Sequence, residues 1–315
     1  MSEKKESSKV KSTIKFVFSP LLYLGKSLMY FILFGIYLFI LGSLFSGYFQ
    51  SNLTNLKPHG YIIAKIKFEG LITDFSAKDL IEKLKKAESY NQTKAILLEI
   101  NSPGGAIGPT QEIYYELLHI KKKKHIPIVV YLKSIAASGG YYISLPADKI
   151  VSLPGTITGS IGVYTQWTYL GKLLDKLGIE TKIIKAGKYK DIFNPFSKPT
   201  SEKIQIINQT VQDFYNQFLE AVSKHRNIPL EKVKTLAEGR IYTGNQAQKL
   251  GLVDYVGDYY FAVNLAKKLS NATNAKVFEI KIVKPPFYYI FEEGKGLLKK
   301  VVNLIYGKNG VEIIY

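Results

Sequence analysis

The sequence predicts an α/β fold built around a mostly parallel β-sheet, and two observations support this prediction. Apolar, β-branched runs of strand length alternate with stretches whose apolar residues have helical spacing. Such alternation is typical of parallel strands joined by helices that cover the sheet. In addition, 315 residues of which 46% are hydrophobic suffice for one or two domains with a large core.

The predicted elements follow one another regularly after residue 60. Strand-like runs cover 60–68, 94–100, 127–132, 149–153 and 181–186. Helical patterns cover 77–89, 108–122, 138–146, 167–178 and 201–226. The last is the longest, and its apolar residues recur every three or four positions along one face.

The amino-terminal fifty residues predict a membrane span. Residues 1–26 contain six lysines and two glutamates, whereas no Asp, Glu, Lys, Arg or His occurs from Ser27 to Leu56. A helix over 28–49 would be about 33 Å long, which matches the hydrocarbon thickness of a bilayer. The lysines ahead of the span predict a cytoplasmic amino terminus and an extracytoplasmic remainder. A cleavable signal peptide is the alternative, but its apolar region is usually shorter, about 7–15 residues.

These patterns divide the chain into five parts. We expect a cytoplasmic tail over 1–26, a transmembrane helix over 27–49, a linker over 50–59 and an α/β domain over 60–283. After the proline pair at 285–286, residues 284–315 break the alternation, and no role is indicated for this tail.

Composition excludes several classes of function. The chain has no cysteine, which removes a thiol nucleophile, thiolate zinc sites and disulfides. Its net charge of +18 is compatible with nucleic acid or anionic lipid as partner. No zinc-finger, RNP-like or basic-helix pattern accompanies the charge, so nucleic acid is disfavoured and anionic lipid headgroups are favoured.

Two glycine pairs follow predicted strands and mark a candidate site. Gly104 and Gly105 follow the run 94–100, and Gly139 and Gly140 follow the run 127–132. Glycines at such positions let main-chain N–H groups face a ligand, as an oxyanion hole requires. Ser138 directly precedes the second pair, and it is either a nucleophile or simply a helix N-cap.

A serine nucleophile needs a base, and the histidines do not supply an obvious one. His59, His119, His125 and His225 lie outside glycine-rich or carboxylate-containing turns and are expected at the surface. A lysine can act instead if its pKa is depressed. Lys185, Lys188 and Lys190 surround Gly187, and spacing alone does not choose among them.

Five motifs in this order resemble signal peptide peptidase A in its short, single-repeat form, over about residues 60–270. They are INSPGG at 100–105, SIAASGGYYIS at 134–144, PGTITGSIGV at 154–163, KAGKYKDIFNPF at 185–196 and GRIYTGNQAQKLGLVD at 239–254. The resemblance implies a crotonase/Clp-protease-like fold of stacked β-β-α units and a Ser/Lys-dyad serine peptidase. Phe193 and Phe196 make the fourth motif more aromatic than is common in the family.

The resemblance also implies a role for each candidate residue. Ser138 would be the nucleophile, Lys190 the general base, and Ser160 would orient the lysine, although Ser160 could instead cap a turn. The oxyanion hole would consist of the N–H groups of Gly139 and Gly105, with Gly104 as the alternative to Gly105.

The implied protein is a membrane-anchored endopeptidase that degrades remnant signal peptides, without metal, ATP or other cofactor, as a ring-shaped homo-oligomer. In such a ring one protomer can complete another's site. The alternatives are a membrane Ser/Lys peptidase that cleaves a stomatin-like partner, a crotonase-type acyl-CoA enzyme and an inactive binding scaffold. The first normally has a later multi-span region, the second needs cytoplasmic CoA, and the third does not need Ser138 and Lys190.

Overall fold

A computed structural model describes residues 27–42, residue 45 and residues 58–282. The predicted tail 1–26, residues 50–57 of the predicted linker and the tail 284–315 lie outside the described residues.

Residues 27–42 form helix α1, whose side chains are exposed. Residues 43–44 and 46–49 of the predicted span lie outside the described residues. In the part of the chain that the structure describes, no helix has both the length and the apolarity needed to cross a membrane. The transmembrane helix 27–49 therefore stays a prediction.

Residues 58–282 form a mixed α/β unit with a mostly parallel sheet, as predicted. The strands are β1 (Ile62–Glu69), β2 (Thr93–Ser102), β3 (Ile128–Ala137), β4 (Lys149–Ser152), β5 (Ile157–Gly159), β6 (Ile241–Thr243), β7 (Tyr255–Val256) and β8 (Lys276–Glu279). The helices are α2 (Asp74–Ser89), α3 (Ile107–Lys124), α4 (Gly139–Tyr142), α5 (Gly171–Lys176), α6 (Ser201–Arg226), α7 (Leu230–Leu236), α8 (Gly244–Lys249) and α9 (Tyr259–Leu269).

The main path through the sheet is β6-β5-β3-β2-β1-β8, in which β5 and β6 pair antiparallel and the other neighbours pair in parallel. Strand β3 has two partners on the same side. Residues 129–132 pair with β4, and residues 135–137 pair with β5. The register against β2 shifts between these halves, and the Asn101 side chain accepts the Ile135 N–H there at 3.2 Å.

Alternating strand residues bury both faces of the sheet. In β1, Ile62, Ala64 and Ile66 belong to one apolar cluster, whereas Ile63 belongs to another. Helices α2, α3 and α6 contribute to the first cluster, and α9 packs Ala262 and Ala266 into the second. The strands are buried on both faces, which explains their nearly continuous apolar sequences.

The strand predicted over residues 181–186 is absent from the structure. Residues 181–186 are not a strand; Ile184 is 91% exposed, and within the described residues no strand pairs with this segment. β-branched residues favour strands, but a strand also requires a neighbour to complete its hydrogen bonds.

Two predicted helices are shorter than expected. The helix predicted over 138–146 is α4, which ends at Tyr142 and is followed by turns that lead to Pro146. The helix predicted over 167–178 is α5, which begins at Gly171 and ends before Gly178, where φ is +68°. Proline and glycine at these positions disfavour continuation of a helix.

Candidate active site

The two glycine pairs lie side by side at the carboxyl edge of the sheet. Because β2 and β3 pair in parallel, the segments that follow them emerge at the same edge. A Cβ atom added to Gly104 would lie 2.7 Å from the Gly139 nitrogen, so this approach of two main chains leaves no room for a side chain. Ligands of open α/β sheets typically bind at this edge.

Ser138 lies between β3 and α4 in a strained conformation. Its φ is +55° and its ψ is −124°, a combination that L-residues rarely adopt, and the residue is 6% exposed. Its main-chain N–H donates to the Gly159 carbonyl at 2.8 Å. The side chain does not cap α4, which disfavours the simple N-cap interpretation. Backbone strain of this kind clusters at functional sites.

The main-chain N–H groups around Ser138 differ in availability. The Gly104 N–H donates to Ser102 Oγ at 3.1 Å. By contrast, the N–H groups of Gly105 and Gly139 have no acceptor among the described residues. Of the two alternatives on the first glycine pair, Gly105 is therefore the one whose N–H is available to an oxyanion.

Ser160 is held beside Ser138 by the pairing of β3 with β5. Ala137 pairs with Gly159, and a serine follows each of them. The Ser160 N–H donates to the Arg240 carbonyl at 2.7 Å, and its φ is +49°. Its hydroxyl makes no hydrogen bond within the described part of the chain, which disfavours the interpretation as a turn cap.

Ser138 and Ser160 line one cavity of about 820 Å³. This volume falls in the range of ligand pockets. The other lining residues are Leu71, Pro103, Gly104, Gly105, Gly162, Val163, Tyr164, Asn208, Val211, Gln212, Tyr215, Glu238 and Gly239. None of these described lining residues is a lysine or a histidine, so neither kind of base considered for Ser138 lies in the cavity wall. The one carboxylate in the described lining, Glu238, lies 3.3 Å from Arg240.

Sequence analysis did not identify the α6 wall of this cavity. Asn208, Val211, Gln212 and Tyr215 recur at helical spacing and present two amides, an aliphatic side chain and a phenol. The sequence signal for this wall was the pair of amide residues Asn208 and Gln212, which stand four positions apart beside the apolar face of the predicted helix. The Tyr215 hydroxyl also accepts the Glu238 N–H at 3.3 Å, which joins α6 to the loop before β6.

Lys190 does not lie among the residues that line this cavity. It is exposed, in a series of turns between α5 and α6, and its N–H donates to the Gly187 carbonyl at 3.3 Å. Its side chain makes no ion pair or hydrogen bond within the described residues. The two neighbouring candidates are engaged: Lys185 pairs with Asp191 and Lys188 with Glu202.

His225 is partly buried, whereas the sequence predicted a surface position for it. Its Nε2 atom lies 2.7 Å from the Tyr114 hydroxyl oxygen. Burial, with smaller contributions from Lys224, Lys121 and Arg226, lowers the pKa of His225 to about 4. His225 does not line the Ser138 cavity.

The described chain thus brings together a strained serine and unpaired main-chain N–H groups in a cavity at the carboxyl edge of a parallel sheet. These are the elements of an enzyme that attacks a carbonyl carbon with a serine hydroxyl.

Comparisons with known proteins agree with this class. The model of peptidase family S49 matches residues 120–273, and that of the Clp protease family matches residues 61–157. The chain belongs to peptidase family S49, and it is a serine protease.

Three relatives illustrate the similarity. The chain is 40% identical over 230 residues to a candidate signal peptide peptidase SppA of Enterococcus faecium, covering 70% of this chain and 67% of the relative. It is 37% identical over 241 residues to a candidate protease of Methanocaldococcus jannaschii, covering 76% and 74%. A chloroplastic serine protease SPPA of Arabidopsis thaliana is 33% identical over 211 residues, covering 66% of this chain and 31% of the relative.

Proposed function

We propose that this protease is a membrane-anchored endopeptidase that degrades remnant signal peptides with a Ser/Lys dyad. The observation that carries the proposal is Ser138, a strained and buried serine next to the N–H groups of Gly105 and Gly139, which have no acceptor in the described part of the chain. The finer fold proposal, stacked β-β-α units of the crotonase and Clp-protease type, is supported by the Clp protease family match.

In the proposed reaction, Ser138 Oγ attacks the peptide carbonyl carbon while the Lys190 amine takes the hydroxyl proton. The N–H groups of Gly105 and Gly139 hold the negative oxygen of the tetrahedral intermediate. The ammonium of Lys190 then donates its proton to the leaving amine, and an acyl ester remains on Ser138. Water, deprotonated by the same lysine, hydrolyses the ester and restores the serine.

We propose that Lys190 acts on the Ser138 of a neighbouring copy in a ring-shaped homo-oligomer. Two observations support this: Lys190 is exposed, and it does not line the cavity of its own chain. Ser160, beside Ser138, would accept or donate a hydrogen bond to the incoming amine and orient it. The exposed apolar residues Leu173, Leu177, Ile183 and Ile184 around this segment are compatible with a subunit contact.

The proposed substrate follows from the cavity and the relatives. Leu71, Val163 and Val211 offer apolar contacts, while Asn208 and Gln212 offer amides for peptide groups. One relative carries the name signal peptide peptidase, and signal peptides combine an apolar segment with peptide groups that need partners.

The proposed location rests on the sequence. The stretch Ser27–Leu56, without Asp, Glu, Lys, Arg or His, supports a single span that places the protease domain outside the cytoplasm. The net charge of +18 supports contact between the basic surface and anionic lipid headgroups, rather than nucleic acid.

The test uses the full chain in detergent with a fluorogenic peptide that contains an apolar segment. We expect cleavage, and loss of cleavage in Ser138→Ala with an unchanged melting temperature. An acyl-CoA is assayed in parallel, because a crotonase-type enzyme would use the same N–H groups on a thioester. Turnover of the acyl-CoA without peptide cleavage, or peptide cleavage that survives Ser138→Ala, would contradict the proposal.

A further inference from the structure

We propose that Asp191 and Lys203 are positioning residues that fix the main chain next to Lys190. The inference rests on the proposed function, because it concerns the placement of the proposed base. It assigns a role to a buried lysine and a carboxylate that neither touch the cavity nor take part in the reaction as described.

Lys203 contacts both the side chain and the main chain of Asp191. The lysine lies in the first turn of α6, and the residue is 7% exposed. Its Nζ atom lies 2.8 Å from Asp191 Oδ2 and donates to the Asp191 carbonyl oxygen at 3.3 Å. Because Lys203 contacts both the carboxylate and the carbonyl oxygen of Asp191, it fixes the main chain of Asp191 as well as its side-chain rotamer.

Lys185 binds the second carboxylate oxygen of Asp191 and so closes the segment 185–191. Its ammonium bonds Asp191 Oδ1, and it also donates to the Lys188 carbonyl oxygen at 2.8 Å. The hydrogen bonds from Lys185 and then Lys203 lower the pKa of Asp191 to about 2, so the carboxylate stays charged throughout the physiological range. Residues 185–191 are thus closed into a loop by one carboxylate that two ammonium groups share.

The position of Lys203 is unfavourable by local rules. A cation in the first turn of a helix opposes the helix dipole, and a buried ammonium loses hydration. Asp191 offsets both effects. Lys203 thus occupies a position that both the helix dipole and burial disfavour. Residues that break local rules in this way occur at functional sites, so its contact with Asp191 is a candidate for a functional role.

The Asp191–Lys203 contact bears on Lys190 because no described residue holds the Lys190 side chain in place. Lys190 is exposed and forms no side-chain hydrogen bond or ion pair within the described residues. Its place therefore depends on the adjacent main chain, which Asp191 holds. The Asp191 carbonyl also accepts the Asn194 N–H at 3.0 Å. An error of about 1 Å in the place of a base can cost about 100-fold in rate.

The test compares full-length Lys203→Met, Lys203→Arg and Asp191→Asn with Glu231→Gln as control. Glu231 forms a surface ion pair with Lys234 on α7, outside the segment 185–191. We expect kcat to fall about 10- to 100-fold in Lys203→Met and Asp191→Asn while KM changes less than about threefold. Arginine should restore part of kcat, and the control should stay near wild type.

A second readout does not depend on turnover. Limited trypsin digestion of the folded chain should cut after Lys188 faster in Lys203→Met and Asp191→Asn than in Glu231→Gln, because the loop is released. If Lys203→Met does not fold, the isosteric Asp191→Asn decides the result by the same two measurements.

Lys190→Ala separates the two hypotheses. If Lys190→Ala is inactive while Lys203→Met and Asp191→Asn keep wild-type kcat, the positioning role is overturned and the dyad stands. If Lys190→Ala retains full activity, the proposed base is wrong, and the positioning role is overturned with it. A parallel rise in KM and loss of stability in all variants, the control included, would also overturn the positioning role.

Discussion

Single residues at the site are held by main-chain hydrogen bonds rather than by side-chain packing. The N–H of Ser138 continues the β3–β5 ladder to Gly159, and the N–H of Ser160 continues the β5–β6 ladder to Arg240. Both serines have positive φ. Each hydroxyl is thereby turned away from the local hydrogen bonds that a serine in a turn would normally make.

Ser160 provides a kinetic prediction at this scale. If it orients the base, Ser160→Ala should lower kcat by about 10- to 1000-fold with a smaller change in KM, since one oriented contact at a catalytic base is worth about 1.4–4 kcal/mol. The measurement is kcat normalised to titrated active sites, beside a thermal melt. A lowered melting temperature with unchanged kcat would assign Ser160 a turn-capping role instead.

His225 predicts a pH dependence of stability. Its pKa is about 4 in the folded chain against about 6.5 for an ordinary histidine, so the unfolded chain binds a proton more readily. The free energy of unfolding should therefore decrease as pH falls from about 6.5 towards about 4. His225→Gln, which retains a hydrogen-bonding group for Tyr114 but does not titrate, should flatten this decrease in urea denaturation. An equal slope in both proteins would contradict the assignment.

At the scale of elements, helix α6 combines a stabilising and a binding role. Phe218 and Val222 pack into the core, while Asn208, Val211 and Gln212 face the cavity nearer the amino end. One helix therefore connects the core to the proposed substrate wall.

This division predicts that Val211→Trp affects substrate binding. The larger side chain reduces the cavity volume, so KM for a peptide with a bulky apolar residue should rise about 10-fold or more, with a smaller effect on kcat. Gln209→Trp, on an exposed position outside the cavity lining, is the control. Equal KM values for the two variants would show that this face of α6 does not contact the peptide.

Elements with a strong periodic signal were predicted well from the sequence. The pattern over 201–226 matches the bounds of α6, and the apolar runs match β1, β2 and β4 to within two residues at each end. The run 127–132 gives the start of β3 but misses its last five residues. By contrast, β5 and β6 have only three residues each, and such pairings become visible only when distant segments meet. The segment 181–186 shows the converse, because its local preference for a strand finds no partner strand among the described residues.

The candidate site was predictable where the chemistry is local in the sequence. Ser138 and the glycine pairs stand in contiguous motifs at strand ends, and the structure brings Ser138, Ser160, Gly104 and Gly105 to one cavity. The roles of these residues and of Lys190 stay predictions. The Tyr215–Glu238 and Asp191–Lys203 contacts join different segments through tertiary packing, which no pattern within a single element indicates.

At the scale of the whole molecule, the proposal that Lys190 acts on Ser138 of a neighbouring copy can be tested by mixing two inactive variants. Ser138→Ala and Lys190→Ala, co-expressed with different tags and purified through both, should regain about a quarter of wild-type activity, because random assembly joins an intact serine to an intact lysine at that frequency. Each variant alone should be inactive. If the doubly tagged oligomer is also inactive, the dyad lies within one chain or uses another base.

The two partners of β3 imply that local opening can inactivate the enzyme before the molecule unfolds. Residues 129–132 pair with four residues of β4 and continuously with β2. At the carboxyl end of β3, residues 135–137 pair with three residues of β5, and only Ala136 pairs with β2. Short and sparsely paired ladders open at lower free energy than longer ones. Amide hydrogens of 136–138 should therefore exchange with solvent faster than those of 129–132. On heating, peptide cleavage should be lost reversibly several degrees below the calorimetric transition, so the thermal limit of activity would be set by fraying of this end of the sheet.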